Sequence, residues 1–279
     1  MFAADLDNPW IIASRQAPRR PPATLVALIG AIVAGALVFA SRAVAPAAGQ
    51  VVSSFITFVG LALAAIVATR LEGRRLWPHE AFGPAAAFGG LAMGLGAVFA
   101  CAAVASIAGA SGMIMGPPLV PPGVIVTALL VAALGAAAQE MFFRGWIQPV
   151  LGAAWGVWPG LLVTAAAFAA FHVAAGAHGP LVVGNLLLTG VLLGLLALRS
   201  GGLAAPTAAH LMWTWTGFIG PASSPEGVLA QVRLHGPALW TGGDQGLAGS
   251  LAVTAVLLVL GATILTVRPQ AVVAPEPRA

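Results

Sequence analysis

Residues 122–149 read PGVIVTALLVAALGAAAQEMFFRGWIQP. From Val124 to Ala138 nothing carries a formal charge, and Thr127 is the one hydroxyl in the run. About 20 such residues are what a helix needs to cross a hydrocarbon core of roughly 30 Å. Within lipid a chain can meet its own backbone hydrogen-bonding needs only as a helix or a closed barrel, and no period-2 alternation of the barrel kind occurs here. The stretch therefore predicts a transmembrane helix. Its end carries Gln139, Glu140 and Arg144. A carboxylate and a guanidinium are expensive at bilayer depth, so their presence marks a functional site by default.

The rest of the chain agrees with that reading. Hydrophobic residues make up 59% and charged residues 7%, and the mean hydropathy is +0.98, which excludes a water-soluble globular domain. Apolar runs of spanning length lie at about 23–43, 50–69, 85–110, 122–149, 158–175, 180–198, 203–220 and 247–267. The expected fold is all-α, a polytopic integral membrane helical bundle of about eight transmembrane helices. It divides into an N-terminal cytoplasmic segment 1–22, one transmembrane domain 23–268, and a disordered C-terminal tail 269–279 rich in proline. Glycine and proline pairs mark the gaps, as at Pro121-Pro122, Gly179-Pro180 and Gly201-Gly202. Arg19-Arg20 ahead of an apolar stretch, with Ala43-Val44-Ala45 after it, has features of a signal peptide. That stretch is longer than an ordinary signal core and is read as the first span.

There is no lysine, so orientation rests on arginine. With eight spans, Arg15, Arg19, Arg20, Arg70, Arg74, Arg75, Arg199, Arg268 and Arg278 fall on one face, and only Arg42 and Arg233 on the other. Cytoplasmic loops hold the positive excess, which places both termini inside. The pI near 11.3 is this topological signal and calls for no nucleic acid. Alanine, glycine, arginine and proline in abundance suggest a GC-rich bacterial genome, hence a bacterial inner membrane. Cys101 stands alone, which excludes a disulfide framework and a cysteine zinc site; it reads as a small buried hydrophobe.

Three polar sites share a helical geometry. Glu140 and Arg144 are four apart and can pair one turn apart; Gln139 points about 100° away from them. Phe168 with His172, and His210 with Thr214, repeat the spacing on later spans. A linear depth count puts Glu140 and His210 toward the cytoplasmic side and His172 near the far end of its span.

This pattern resembles the three signatures of the CAAX protease and bacteriocin-processing (CPBP) family of intramembrane endopeptidases, which includes the Ras-converting type of CAAX prenyl protease. Glu-Glu-x-x-x-Arg corresponds to Gln139, Glu140 and Arg144, Phe-x-x-x-His to Phe168 and His172, and His-x-x-x-Asn to His210 and Thr214. The approach through Gly190, Gly194, Arg199-Ser200-Gly201-Gly202-Leu203 and Pro206 is also similar. The resemblance covers about 122–220. It implies hydrolysis of a peptide bond near the C-terminus of a membrane-associated peptide or protein. The first Glu and the second-motif His would activate water, the third motif would stabilise the oxyanion, and the second Glu would orient or pair with the Arg. Phe143, Phe168 and Trp213 are the candidate substrate contacts. Glu140, His172 and His210 could instead bind zinc.

Two departures stand out. Gln139 occupies the base position, and an amide cannot accept a proton; either the role passes to Glu140, or the chain is a catalytically silent peptide-binding or immunity protein. Thr214 replaces Asn and keeps one hydroxyl donor. Alternatives from other classes are a structural Glu140–Arg144 pair, a transporter, and a haem protein ligated by His172 and His210. Trp146, Trp155, Trp158, Trp213 and Trp215 also suit interface anchoring. His79, His178 and His235 are read as loop residues without a role. Oligomeric state is left open.

Overall fold

The computed structural model describes residues 9–76, 83–114, 121–219 and 232–266. After a short helix α1 (Pro9–Arg15) comes α2 (Ala23–Leu71), whose 49 residues would extend roughly 74 Å at 1.5 Å per residue. Ser41 Oγ nonetheless donates to the Ser53 carbonyl at 2.8 Å, although a straight helix would hold these residues about 18 Å apart. The helix is a hairpin. It reverses at Gly49, φ 83°, where a residue without Cβ enters the left-handed region freely. Gly60 of the second arm is packed against Leu37 of the first.

The remaining elements are α3 (Pro84–Ile107), β1 (Ser111–Ile114), α4 (Pro122–Glu140), a π-helical segment (Met141–Ile147), α5 (Gln148–Trp155), α6 (Val157–Ala174), α7 (Pro180–Ser200), α8 (Ala204–Ile219), β2 (Val232–His235), a four-residue α9 (Ala238–Thr241), a 3₁₀ segment (Gly243–Gly249) and α10 (Leu251–Thr266). Six helical segments among the described residues are long and apolar enough to cross a membrane: Ala23–Leu71, Pro84–Ile107, Pro122–Trp155, Val157–Ala174, Pro180–Ser200 and Gly243–Thr266. Dividing α2 at Gly49 separates the first two expected spans. The seventh is α8, only 16 residues long, packed against α3, α4 and α7. This is an all-α polytopic membrane bundle, and each of the eight expected spans corresponds to a helix or helical arm.

One element departs from the all-helical expectation. β1 and β2 form a two-stranded antiparallel ribbon with Ser111 opposite His235 and Ile114 opposite Val232. Four-residue strands are too short to show alternation, and pairing between loops this far apart in sequence leaves no local signal. The expected C-terminal tail and most of the long loop before β2 lie outside the described residues, as does His79.

The bundle turns large apolar side chains outward and polar ones inward. Phe39, Phe88, Phe99 and Ile107 are exposed, while Gln139, Glu140, Arg144, Gln148, Asn185 and His210 are buried. Lipid is as apolar as leucine, so helices associate through small-residue contacts and hydrogen bonds. Gly90 and Gly94 of α3 lie directly on the backbone of Ala205 and Ala209 in α8, leaving no room for a Cβ. Cys101 continues that stripe, fully buried as expected. Asn185 of α7 donates to the carbonyls of Ala248 and Ser250 and accepts from Thr254, tying α10 down.

Arg15, Arg19 and Arg20 lie together near Glu72 at one end of the bundle. There the Arg19 backbone N–H donates to the Glu72 carbonyl at 3.3 Å. At the other, Arg42 donates to the Ala174 carbonyl at the C-terminus of α6, 2.9 Å, a favourable place for a cation.

Candidate active site

The site is built on the helical segment that opened the sequence analysis. Pro149 has no N–H, and its ring crowds the carbonyl four residues back, at Gly145. The helix answers by widening. Gln148 N–H donates to the Phe143 carbonyl, five residues back, and residues 141–147 take π geometry, common at functional sites. The carbonyls of Gly145 and Trp146 accept from Arg74 Nη1 (3.0 Å) and Nη2 (3.2 Å). Arg74 also pairs with Glu72, whose other oxygen accepts from Trp146 Nε1 at 2.9 Å. Burial pulls the Arg74 guanidinium below its ordinary range, and Glu72 partly offsets this. The sequence placed Arg74 in a surface loop, but it is 8% exposed. The available signal was Pro149, which requires something to serve the carbonyls it displaces.

Glu140 and Arg144 are fully buried and paired, Nη1 to Oε1, at 3.0 Å. Arg144 Nη2 donates to the Gly190 carbonyl at 3.0 Å, and its guanidinium lies 4.5 Å from the centre of the Phe168 ring. One turn on, Gln148 Nε2 donates to the Gly194 carbonyl at 3.2 Å. Gly190 makes this possible because it lies against Ala165 with no space for a side chain, holding α6 and α7 close.

His210 Nδ1 is 2.8 Å from Glu140 Oε1. Since an ionised carboxylate only accepts, that nitrogen carries the proton and Nε2 is left for other partners. His172 Nδ1 is 2.9 Å from the Phe168 carbonyl, and the same reasoning frees its Nε2. Glu140 Oε1 thus serves both Arg144 and His210, while Oε2 has no hydrogen-bond partner.

Phe168 brings the parts level. Its ring is 4.4 Å from that of His172 and 5.8 Å from that of His210. The depth count had separated His172 from the other two groups; helix packing around one phenylalanine removes that separation. Gln139 is buried beside the pair with an unpartnered Oε1, and Thr214 is half-buried one turn beyond His210. Of the candidate substrate contacts, Phe143 and Phe168 are each 1% exposed. Phe143 packs edge-on to Phe142, Phe168 and Phe171. Trp213 is half-buried against the core. Among the described residues no group of three His, Cys, Asp or Glu side chains is gathered as a metal-ion cluster.

Residues 121–216 match the family described as Type II CAAX prenyl endopeptidase Rce1-like. The match bears out the motif resemblance over about a third of the chain and contains all six candidate catalytic residues. An uncharacterized 24.3 kDa protein of Escherichia coli is 32% identical over 100 residues, 35% of this chain and 45% of that protein. The chain therefore spans less than half the length of that curated relative. No solved structure matches.

Proposed function

From a multi-pass membrane bundle whose residues 121–216 carry the Rce1-like endopeptidase pattern, we propose that this chain hydrolyses a peptide bond near the C-terminus of a membrane-associated peptide or protein. The centre comprises Glu140, His210, His172, Gln139 and Thr214, with Arg144 holding Glu140 in place. The 2.8 Å contact between Glu140 and His210 carries the reading, because it joins distant helices into an acid–imidazole pair inside an apolar bundle.

Gln139 cannot take a proton; Glu140 is bound through Oε1 to both Arg144 and His210, with Oε2 buried and unpartnered, and we assign it the orienting role behind His210. His210 Nε2 is the base. Behind it the Glu140 carboxylate fixes the tautomer and balances the imidazolium that forms, as a carboxylate does behind any catalytic imidazole. A water held between His210 Nε2 and His172 Nε2 attacks the carbonyl carbon and passes its proton to His210. The Gln139 amide and the Thr214 hydroxyl donate to the oxyanion, each such donor contributing about 3–4 kcal/mol. When the C–N bond breaks, His210 returns the proton to the leaving amine. No step runs through a metal, so chelator treatment leaves the rate unchanged. The arginine-rich end faces the cytoplasm of a bacterial inner membrane, with both termini inside.

The second reading, a silent peptide-binding protein, is favoured by Gln139 alone. The test is expression of the chain and its Gln139→Glu version in host membranes, followed by mass-spectrometric profiling of membrane-protein C-termini. New C-termini from the Gln139 chain support the imidazole base. New C-termini from Gln139→Glu alone return the base to position 139. Absence of both supports the silent binder.

A further inference from the structure

At the arginine-rich end, away from the Glu140–His210 pair, α1 and the connector to α2 close over α5. Between them lies a cavity of about 200 Å³. Ser14, Arg15, Arg19 and Arg20 line one side and Glu72 the other. The Glu72 charge is offset by its ion pair with Arg74, so the charges of Arg15, Arg19 and Arg20 remain uncompensated by it. The lining therefore carries a positive excess. Ser14, one of the lining residues, is 6% exposed, and its buried Oγ has no hydrogen-bond partner. A buried hydroxyl is ordinarily satisfied, and three arginines lining the same cavity suit an acceptor-rich ligand to which their guanidinium groups can donate.

We propose that this cavity binds the phosphate of an anionic membrane lipid. Guanidinium groups match phosphate oxygens in paired fashion, and basic pockets at the cytoplasmic ends of helices take lipid headgroups. The source of the phosphate follows from what adjoins it. α2 begins three residues after Arg20, and its outward face presents Leu25, Leu28 and Ile32, all exposed. A lipid with its phosphate among the arginines would lay its acyl chains along that strip. A free phosphate ion would use the same donors and leave the strip aside.

The full chain, purified and lipid-depleted, is titrated with phosphatidylglycerol or phosphatidylcholine and read by native mass spectrometry. Two charge-matched doubles accompany it: Arg19→Gln/Arg20→Gln, in the cavity, and Arg70→Gln/Arg75→Gln, exposed outside it. Selective phosphatidylglycerol binding, weakened about 30-fold by the first double and little by the second, is the expected result. Thermal stabilisation by inorganic phosphate, lost only in the first double and with no preference between the lipids, assigns the same cavity to free phosphate. Equal losses in both doubles, or no binding of either probe, overturn the site. All four exchanged arginines are at the surface, and thiol exposure at buried Cys101 checks that each variant folds.

Discussion

Replacing Arg144 by alanine tests whether the charges at the centre are as dry as the structure makes them. The change removes the 3.0 Å bond to Glu140, the 3.0 Å bond to the Gly190 carbonyl and the stacking on Phe168. A buried charge that loses its partner costs about 3–5 kcal/mol, and a buried carbonyl left bare about 1–3 kcal/mol. His210 keeps its contact with Glu140 and offsets part of this, so the expected loss is about 3–5 kcal/mol, a shift in the folding equilibrium of at least roughly 150-fold. Cys101, buried and the chain's single cysteine, gives the assay: a thiol-reactive fluorophore labels it only as the bundle opens, along a denaturant series in mild detergent. The double change Arg144→Met/Glu140→Leu removes both charges and should recover most of the loss, since apolar replacement of a buried pair is often neutral. With the Arg144→Met and Glu140→Leu singles completing the cycle, the coupling exceeds about 2 kcal/mol. Arg144→Ala within about 1 kcal/mol of the parent would refute the reasoning, because Glu140 would then have water.

His172→Ala and His210→Ala should each abolish C-terminal cleavage while leaving Cys101 labelling unchanged; cleavage surviving either change removes that imidazole from the centre. Arg74→Ala should destabilise the fold by about 3–5 kcal/mol, because Glu72 loses its charge partner and two carbonyls lose their donor; Arg74→Lys should recover little, since one ammonium cannot reproduce the fork. His178, in the α6–α7 loop, is 3.0 Å from Asp244, and its pKa is raised, first by the Gly176 carbonyl and then by Asp244. A raised folded-state value means that the clasp on residues 243–249 contributes fully below the unfolded value near 6.5 and fades as pH climbs through the raised one. Protease cleavage within 243–249 should accordingly increase from pH 6 to 8 in the parent but not in Asp244→Asn, and a flat parent profile removes the clasp.

Much of the helical plan could be read in advance because lipid imposes a one-dimensional rule: a span is a run of apolar residues of fixed length. The break between the spans at about 23–43 and 50–69 and the possible pairing of Glu140 with Arg144 followed from local pattern and spacing; that the chain reverses at Gly49 came from the structure. The ribbon between β1 and β2, the brace from Arg74 to Gly145 and Trp146, and the clasp between His178 and Asp244 could not be read that way. Each joins residues far apart in the chain, and no local period records which of them meet.

The candidate centre shows the same division. Residue types at 139, 140, 144, 168, 172, 210 and 214, and the absence of a proton acceptor at Gln139, were in the sequence alone, because composition and helical spacing determine which groups enter the membrane and which share a helix face. Which imidazole meets the carboxylate was decided only in the tertiary structure. Glycine contacts bring α3 onto α8 and α6 onto α7, Pro149 widens the helix between them, and His210 thereby reaches Glu140 while Phe168 sets His172 level with both. Helix packing depends on side-chain volumes on two surfaces at once, information that no single stretch of sequence contains.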